Sequence, residues 1–142
     1  MEAQEYAIVE NSQEGHWWWL GRQRIIERLI ERFCLRGQNR SLRIADVGSG
    51  FGANIAMLRR YGSVVALEPS ADAVAKIRER WTSDLGVEAI RWQCPEPVDG
   101  RFDLMLLADV LEHIADDAAA VSWMCDHLAP GDRTSALGKA TQ

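Results

Sequence analysis

Paired cysteines are missing from this chain: Cys34, Cys94 and Cys125 are odd in number, far apart and never spaced as CxxC. That excludes a disulfide framework and a tetrahedral zinc site, and no metal is expected. A basic excess is missing too, since 16 Lys and Arg stand against 21 Asp and Glu for a formal charge of -5. Residues 1–40 carry six of each sign, so the deficit belongs to residues 41–142. No basic face for duplex nucleic acid exists in such a chain. Nor does any apolar run approach the roughly 20 residues that cross a bilayer, and the start, MEAQEYAIVENSQEG, lacks the basic-then-apolar order of a leader. Membrane contact is therefore not expected, and free thiols suit a reducing, cytoplasmic setting. What the chain does have is 142 residues that are 47% hydrophobic, enough for one core and too few for two domains.

Helix and strand patterns alternate along it. Residues 17–34 place Leu20, Ile25, Ile26, Leu29, Ile30 and Phe33 at mostly helical spacing with charges between them. After a break at Gly37, residues 42–47 form a short apolar run that ends in Gly48, Gly50 and Gly52, which reads as strand, tight turn and helix. Residues 53–60 continue as a short helix, 63–67 (SVVAL) form a second strand, and Ser70 is the expected N-cap of a helix with Val74, Ile77 and Trp81 on one face. Residues 87–93 give a third strand before a loop carrying Pro95, Pro97 and Gly100. Residues 102–108, FDLMLLA, are nearly continuous in apolar side chains, as in a strand covered on both faces. A helix over 116–128 should turn Val121, Met124, Cys125 and Leu128 inward, with Asp116 and Asp117 at its start. This alternation predicts an α/β fold with a doubly wound, Rossmann-like parallel sheet, whose ligands bind at the carboxyl ends of its strands.

The densest chemical signal is Asp46-Val47-Gly48-Ser49-Gly50-Phe51-Gly52 at the first strand-to-helix turn. Glycines there allow a sharp turn and an approach closer than a Cβ permits. With Ala53, the stretch satisfies the dinucleotide fingerprint GxGxxG/A, and Glu68 lies 20 residues beyond Gly48, where an acid grips ribose hydroxyls. Asp46 separates two cofactor classes. A pyrophosphate about 4 Å from it would cost roughly 4 kcal/mol at an effective dielectric near 20, whereas an ammonium and a sulfonium would gain a similar amount. The acid thus favours S-adenosylmethionine over a nicotinamide dinucleotide, although an Asp at a strand end can also serve only to hold loop amides.

The stretches DVGSGFG, VVALEPS, FDLMLLADVLEHI and HLAPG, in this order and spacing over residues 42–131, resemble the class I S-adenosylmethionine-dependent methyltransferases, in particular the type 11 and type 12 small-molecule enzymes. The resemblance implies S-adenosylmethionine as cofactor and a small-molecule acceptor. It also implies that Asp46, Gly48, Ser49 and Gly50 lie against the methionine portion and ribose, Glu68 on the ribose hydroxyls, Pro69 and Ser70 beside the adenine, and Ala108 and Asp109 along the inner wall. The acid that such enzymes offer to adenine after the third strand is replaced by Gln93, whose amide oxygen can accept that hydrogen bond; Glu96 is a weaker substitute.

Three adjacent tryptophans, Trp17 to Trp19, cannot share one helical face, so one must point outward or into a site. A lid formed by His16, Trp17 and Arg22 competes with simple packing of the helix on the sheet. His113 stands alone, without a triad or metal set, and methyl transfer needs little beyond in-line positioning, so no catalytic residue is assigned. The implied organisation is a helical lid over 1–40, a cofactor-binding core over 41–131 and a polar tail over 132–142. Strand order 3-2-1-4, without the last strands of the family, would leave residues 102–108 as a bare apolar edge. A C-terminally truncated enzyme, weak or inactive, that dimerises through this edge is the expectation. A non-catalytic cofactor-binding fragment and, less favoured, a nicotinamide oxidoreductase remain alternatives.

Overall fold

The computed structural model describes residues 17–37, 39–108, 110, 113–129 and 136–138. Helix α1, Trp17–Leu29, continues into a π-helical segment, Ile30–Leu35, and ends where Arg36 and Gly37 turn left-handed at φ 51° and 74°. There follow β1 (Leu42–Val47), α2 (Ile55–Arg59), β2 (Gly62–Glu68), α3 (Ala71–Arg80), β3 (Val87–Arg91), β4 (Leu104–Leu107), α4 (Asp117–His127) and β5 (Ala136–Gly138). The strands form one parallel sheet in the order β3-β2-β1-β4-β5. The expected 3-2-1-4 order of a doubly wound α/β fold is thus present.

Strand periodicity decides which side chains meet which helices. Leu42 and Ile44 of β1, Val64 and Ala66 of β2 and Leu104 and Leu106 of β4 face one cluster, with Ile26, Ile30, Leu58, Val74 and Ile77. Their neighbours Ala45, Val47, Val65, Leu67, Met105 and Leu107 face the other, with Trp123 and Met124 of α4. All four residues of β4 are buried, as the composition of FDLMLLA predicts. Ser70 caps α3 through Ala73 N–H at 3.3 Å, and Asp116 caps α4 through Ala119 N–H at 2.9 Å. Arg43 binds β1 to the approach of β4: its guanidinium lies 4.4 Å from the Phe102 ring and donates to the carbonyls of Arg101 and Asp99.

Two expectations are corrected. Strand β5 pairs with β4 through Met105–Ala136, Leu106–Leu137 and Leu107–Gly138, so β4 is not an edge and residues 136–138 are not merely tail. Pairing of backbone groups, which any sequence supplies, is what satisfies β4, and the argument for a dimer through that edge falls with it. The inward face of α4 is turned by about one residue: Ala120, Trp123 and Met124 are buried, whereas Val121 and Cys125 are exposed. Burying an indole outweighs burying a valine and a thiol. Helix α4 itself lies where it is expected, starting at Asp117 behind the Asp116 cap.

At the far border, the outward carbonyl of Ala89 in β3 accepts from Arg78 Nε at 3.0 Å and Nη2 at 2.8 Å. Arg59 makes a two-pronged pair with Asp84, at 2.8 and 3.0 Å, and holds the Asp84 carboxyl below its usual range. At the start of β2, Gly62 lies opposite Leu42, and a Cβ built there overlaps the Leu42 backbone. Gly62→Ala should therefore force β1 and β2 apart and lower stability by about 3 kcal/mol, the upper end for overpacking against atoms that cannot yield. Urea unfolding checks this; a loss no larger than that of an exposed strand substitution would count against the close approach.

Candidate functional site

Strands β1, β2 and β3 end at one level, and their ends are tied together. The amides of Gly48 and Ser49 both donate to the Leu67 carbonyl, at 2.7 and 3.2 Å. Glu68, only 2% exposed, accepts from Gly50 N–H through Oε2 at 2.7 Å and from Ser70 N–H through Oε1 at 3.0 Å. Trp92 N–H donates to the Glu68 carbonyl at 3.1 Å. One carboxylate thus joins the glycine turn to the start of α3. Gly48, Gly50 and Gly52 have φ of 68°, 57° and 80°, the left-handed region in which glycine is unstrained. At Gly48 a Cβ would collide with Val110, whereas at Gly50 it would meet nothing within 4 Å.

Above this floor lies a cavity of about 620 Å³. Gly48 and Gly50, then Glu68 and Pro69, then Trp92 to Pro95 supply the walls from the three strand ends, and Val110, His113 to Asp116 and Ala119 close the side toward α4. No Lys or Arg lines it among the described residues, while Glu68 and Asp116 do. A shallower space of about 480 Å³ between α3 and β3 lies away from the strand ends.

Asp46 sits beneath the turn, 1% exposed, and its Oδ2 accepts from Ser49 Oγ at 2.9 Å. Burial pushes its carboxyl from the usual 3.8 up to about 7, with a further upward push from Glu68 and partial relief by the Ser49 hydroxyl. The cavity is thus underlain by a second acid that ionises near neutrality.

Residues 44–131 match the methyltransferase domain family. The chain belongs to that family. This methyltransferase domain is 33% identical over 103 residues to a ubiquinone biosynthesis O-methyltransferase of Bradyrhizobium sp. (strain ORS 278), a match covering 69% of this chain and 38% of the relative. It therefore spans well under half the length of that relative. Among solved structures it superposes on the N-methyltransferase NodS from Bradyrhizobium japonicum WM9 in complex with S-adenosyl-L-homocysteine, with a TM-score of 0.70 at 17% identity, over 91% of this chain and 70% of that one. The S-adenosylmethionine-bound amino pentose methyltransferase CalS10 from Micromonospora echinaspora gives 0.68 at 23% identity, over 94% of this chain and 56% of that one. At these identities the likeness is one of fold.

Of the residues singled out in the sequence, Gly48, Gly50, Glu68, Pro69 and Gln93 line the methyltransferase domain's cavity. Asp46 and Ser49 lie under it, and the Ser70 hydroxyl is turned to its capping role. Ala108 packs on the core beside β1. Trp17 is 81% exposed and Arg22 stands 5.2 Å over the Trp19 ring; neither lines the cavity, and it is Gln23 whose Nε2 donates to Ala53 O at the end of the turn. Trp19 is the tryptophan that packs inward, Trp18 being 46% exposed. Asp109 and His16 lie outside the described residues.

Sequence reasoning missed the wall between β3 and α4. The indoles of Trp92 and Trp123 both donate to the Glu96 carbonyl, at 2.7 and 2.8 Å, with their rings 4.8 Å apart. His127 stacks on Trp123 at 4.5 Å and accepts from Val98 N–H through Nε2 at 3.2 Å. Aromatic residues on both sides of a proline-rich loop were the available signal.

The raised pKa of Asp46 makes stability depend on pH. The folded chain holds a proton that the unfolded chain has already released above its ordinary pKa. The stabilisation is thus complete below pH 3.8 and is lost as pH rises through about 7. Three units correspond to about 4 kcal/mol. Asp46→Asn, which keeps an acceptor for Ser49, should flatten this fall in chemical denaturation curves between pH 4 and 8; an unchanged slope would mean that Asp46 does not titrate in this range.

Proposed function

We propose that this domain binds S-adenosylmethionine in the cavity and places its methyl group before a small-molecule acceptor. The supporting observation is the charge of the site: two acids line it, a third lies beneath it, and no Lys or Arg faces it among the described residues. A cationic ligand is favoured by such a field and a pyrophosphate is opposed. The residues fit the cofactor. The volume is that of a small-molecule site, and Gly50 leaves open space where a side chain would stand.

S-adenosylmethionine brings an electrophilic methyl carried on a sulfonium. The protein's part is binding and alignment. Glu68 accepts from the ribose hydroxyls, Gly48 and Gly50 let the backbone approach, and Pro69 and Gln93 stand beside the adenine. Asp46, bound to the Ser49 hydroxyl, lies under the methionine end. Transfer then depends on in-line placement of an acceptor, for which proximity suffices without a dedicated base. Ubiquinone biosynthesis and an amino pentose, the named settings of the two relatives, support an acceptor of small-molecule size. The absence of a membrane-length apolar helix among the described residues is in keeping with a cytoplasmic enzyme.

Calorimetry should show S-adenosylmethionine and S-adenosylhomocysteine binding and NAD not binding. Glu68→Gln should weaken S-adenosylhomocysteine by about 1.5 to 3 kcal/mol and erase most of its advantage over the 2',3'-dideoxy analogue. Glu68→Ala, which also releases the glycine turn, should do so more severely. Tighter binding of NAD than of S-adenosylmethionine would overturn the reading.

A further inference from the structure

Helix α1 turns one side to the sheet and the other to solvent. Trp19 and Ile26 are buried, and Gln23 is tied to the Ala53 carbonyl at the end of the glycine turn. At about 100° per residue, Trp17, Gly21, Arg24, Ile25 and Arg28 fall on the opposite side, with Trp18 and Leu20 at its margins, and every one of them is exposed. A Cβ built on Gly21 meets nothing within 4 Å, so the middle of this face is open. Trp17, Trp18, Leu20 and Ile25 on one helix exceed the scattered single apolar residues of an ordinary surface. Exposed Phe33 carries the band into the π-helical segment.

The charges of this stretch are sorted by side as well. Glu27 pairs with Arg60, and Glu31 accepts from the Tyr61 hydroxyl at 3.0 Å, so both acids are engaged by the body of the domain. Arg24 and Arg28 are exposed and make no hydrogen bond or ion pair among the described residues. Arg32 and Arg36 are exposed beside Phe33, one over its ring and the other on its carbonyl. We infer that the outer face of α1 is a docking surface for an anionic lipid bilayer, with the helix lying along the headgroups. No helix among the described residues is long and apolar enough to cross a membrane, which excludes a span there and leaves surface contact open.

The mixture of side chains favours lipid over other occupants. Residues 17–36 hold five Arg and two Glu in a chain of formal charge -5, so this face stands against the charge of the rest. Arginine stems lie on apolar surface while their heads reach phosphates, and indoles prefer the headgroup level. A second copy presenting the same face would set arginine against arginine. A duplex nucleic acid would satisfy the arginines and leave Trp17, Leu20 and Ile25 in water. The tryptophan end of α1 is also the end near the cavity, since Gln23 meets the backbone just past the glycine turn. Docking through this face sets the strand ends beside the lipid.

The test is cosedimentation of the full chain with vesicles of phosphatidylcholine alone and of phosphatidylcholine mixed equally with phosphatidylglycerol. The mixed vesicles should retain the protein, less so as salt rises, with a blue shift of tryptophan emission, and the neutral vesicles should retain little. Arg24→Glu with Arg28→Glu should weaken retention roughly 30-fold or more, the effect of losing two arginines near such a surface. Ile25→Asp should weaken it about tenfold and reduce the blue shift, through lost apolar burial. These side chains point to solvent, so the urea midpoint should stay unchanged in each variant. Arg101→Glu, an exposed reversal at the approach of β4, should leave retention nearly unaltered. No retention by the mixed vesicles, equal losses in Arg101→Glu and the double variant, or binding of duplex DNA in place of vesicles would overturn the inference. None of these outcomes depends on which cofactor the cavity takes.

Discussion

The buried carboxylate of Glu68 is the constraint on which the site depends. It terminates β2, yet its two oxygens hold Gly50 of the preceding turn and Ser70 of the following helix. A carboxylate at 2% exposure is costly unless its lone pairs are satisfied, and two backbone amides contribute to that. The position of the floor follows from these two bonds.

Asp46 lies under the same turn, and its proton is held chiefly by burial, with nearby Glu68 adding to the push. A cation above the turn would favour release of the Asp46 proton, and its loss would favour the proton's return. Such a floor suits a ligand whose sulfonium charge disappears when its methyl group leaves.

Much of this was legible before any coordinates. The glycine cluster after an apolar run, the acid 20 residues on and the all-apolar FDLMLLA each carry local signals, because turn sterics and double-sided burial restrict which residues can stand there. The face of α4 was not legible. Its spacing allowed two registers, and only the partner surface, Trp92 and the Glu96 carbonyl, selects the one that buries Trp123. Strand β5 was invisible for a different reason: three residues paired through their backbones leave almost no mark on composition. Asp116 read as an ordinary helix cap, which it is, and sequence order gave no hint that α4 would bring it to the cavity beside a loop some 20 positions earlier. Trp17 and Arg22 attracted attention by bulk and charge, but neither property fixes direction on a helix.

The two bonds from Arg78 to the Ala89 carbonyl have a meaning beyond local pairing. An outer strand with free carbonyls can recruit any extended chain that drifts past, and this one is short enough to be outcompeted by a longer guest. By occupying the Ala89 carbonyl with its own guanidinium, α3 blocks that point of the border from within, and the charge placed there disfavours a second strand docking at the middle of β3.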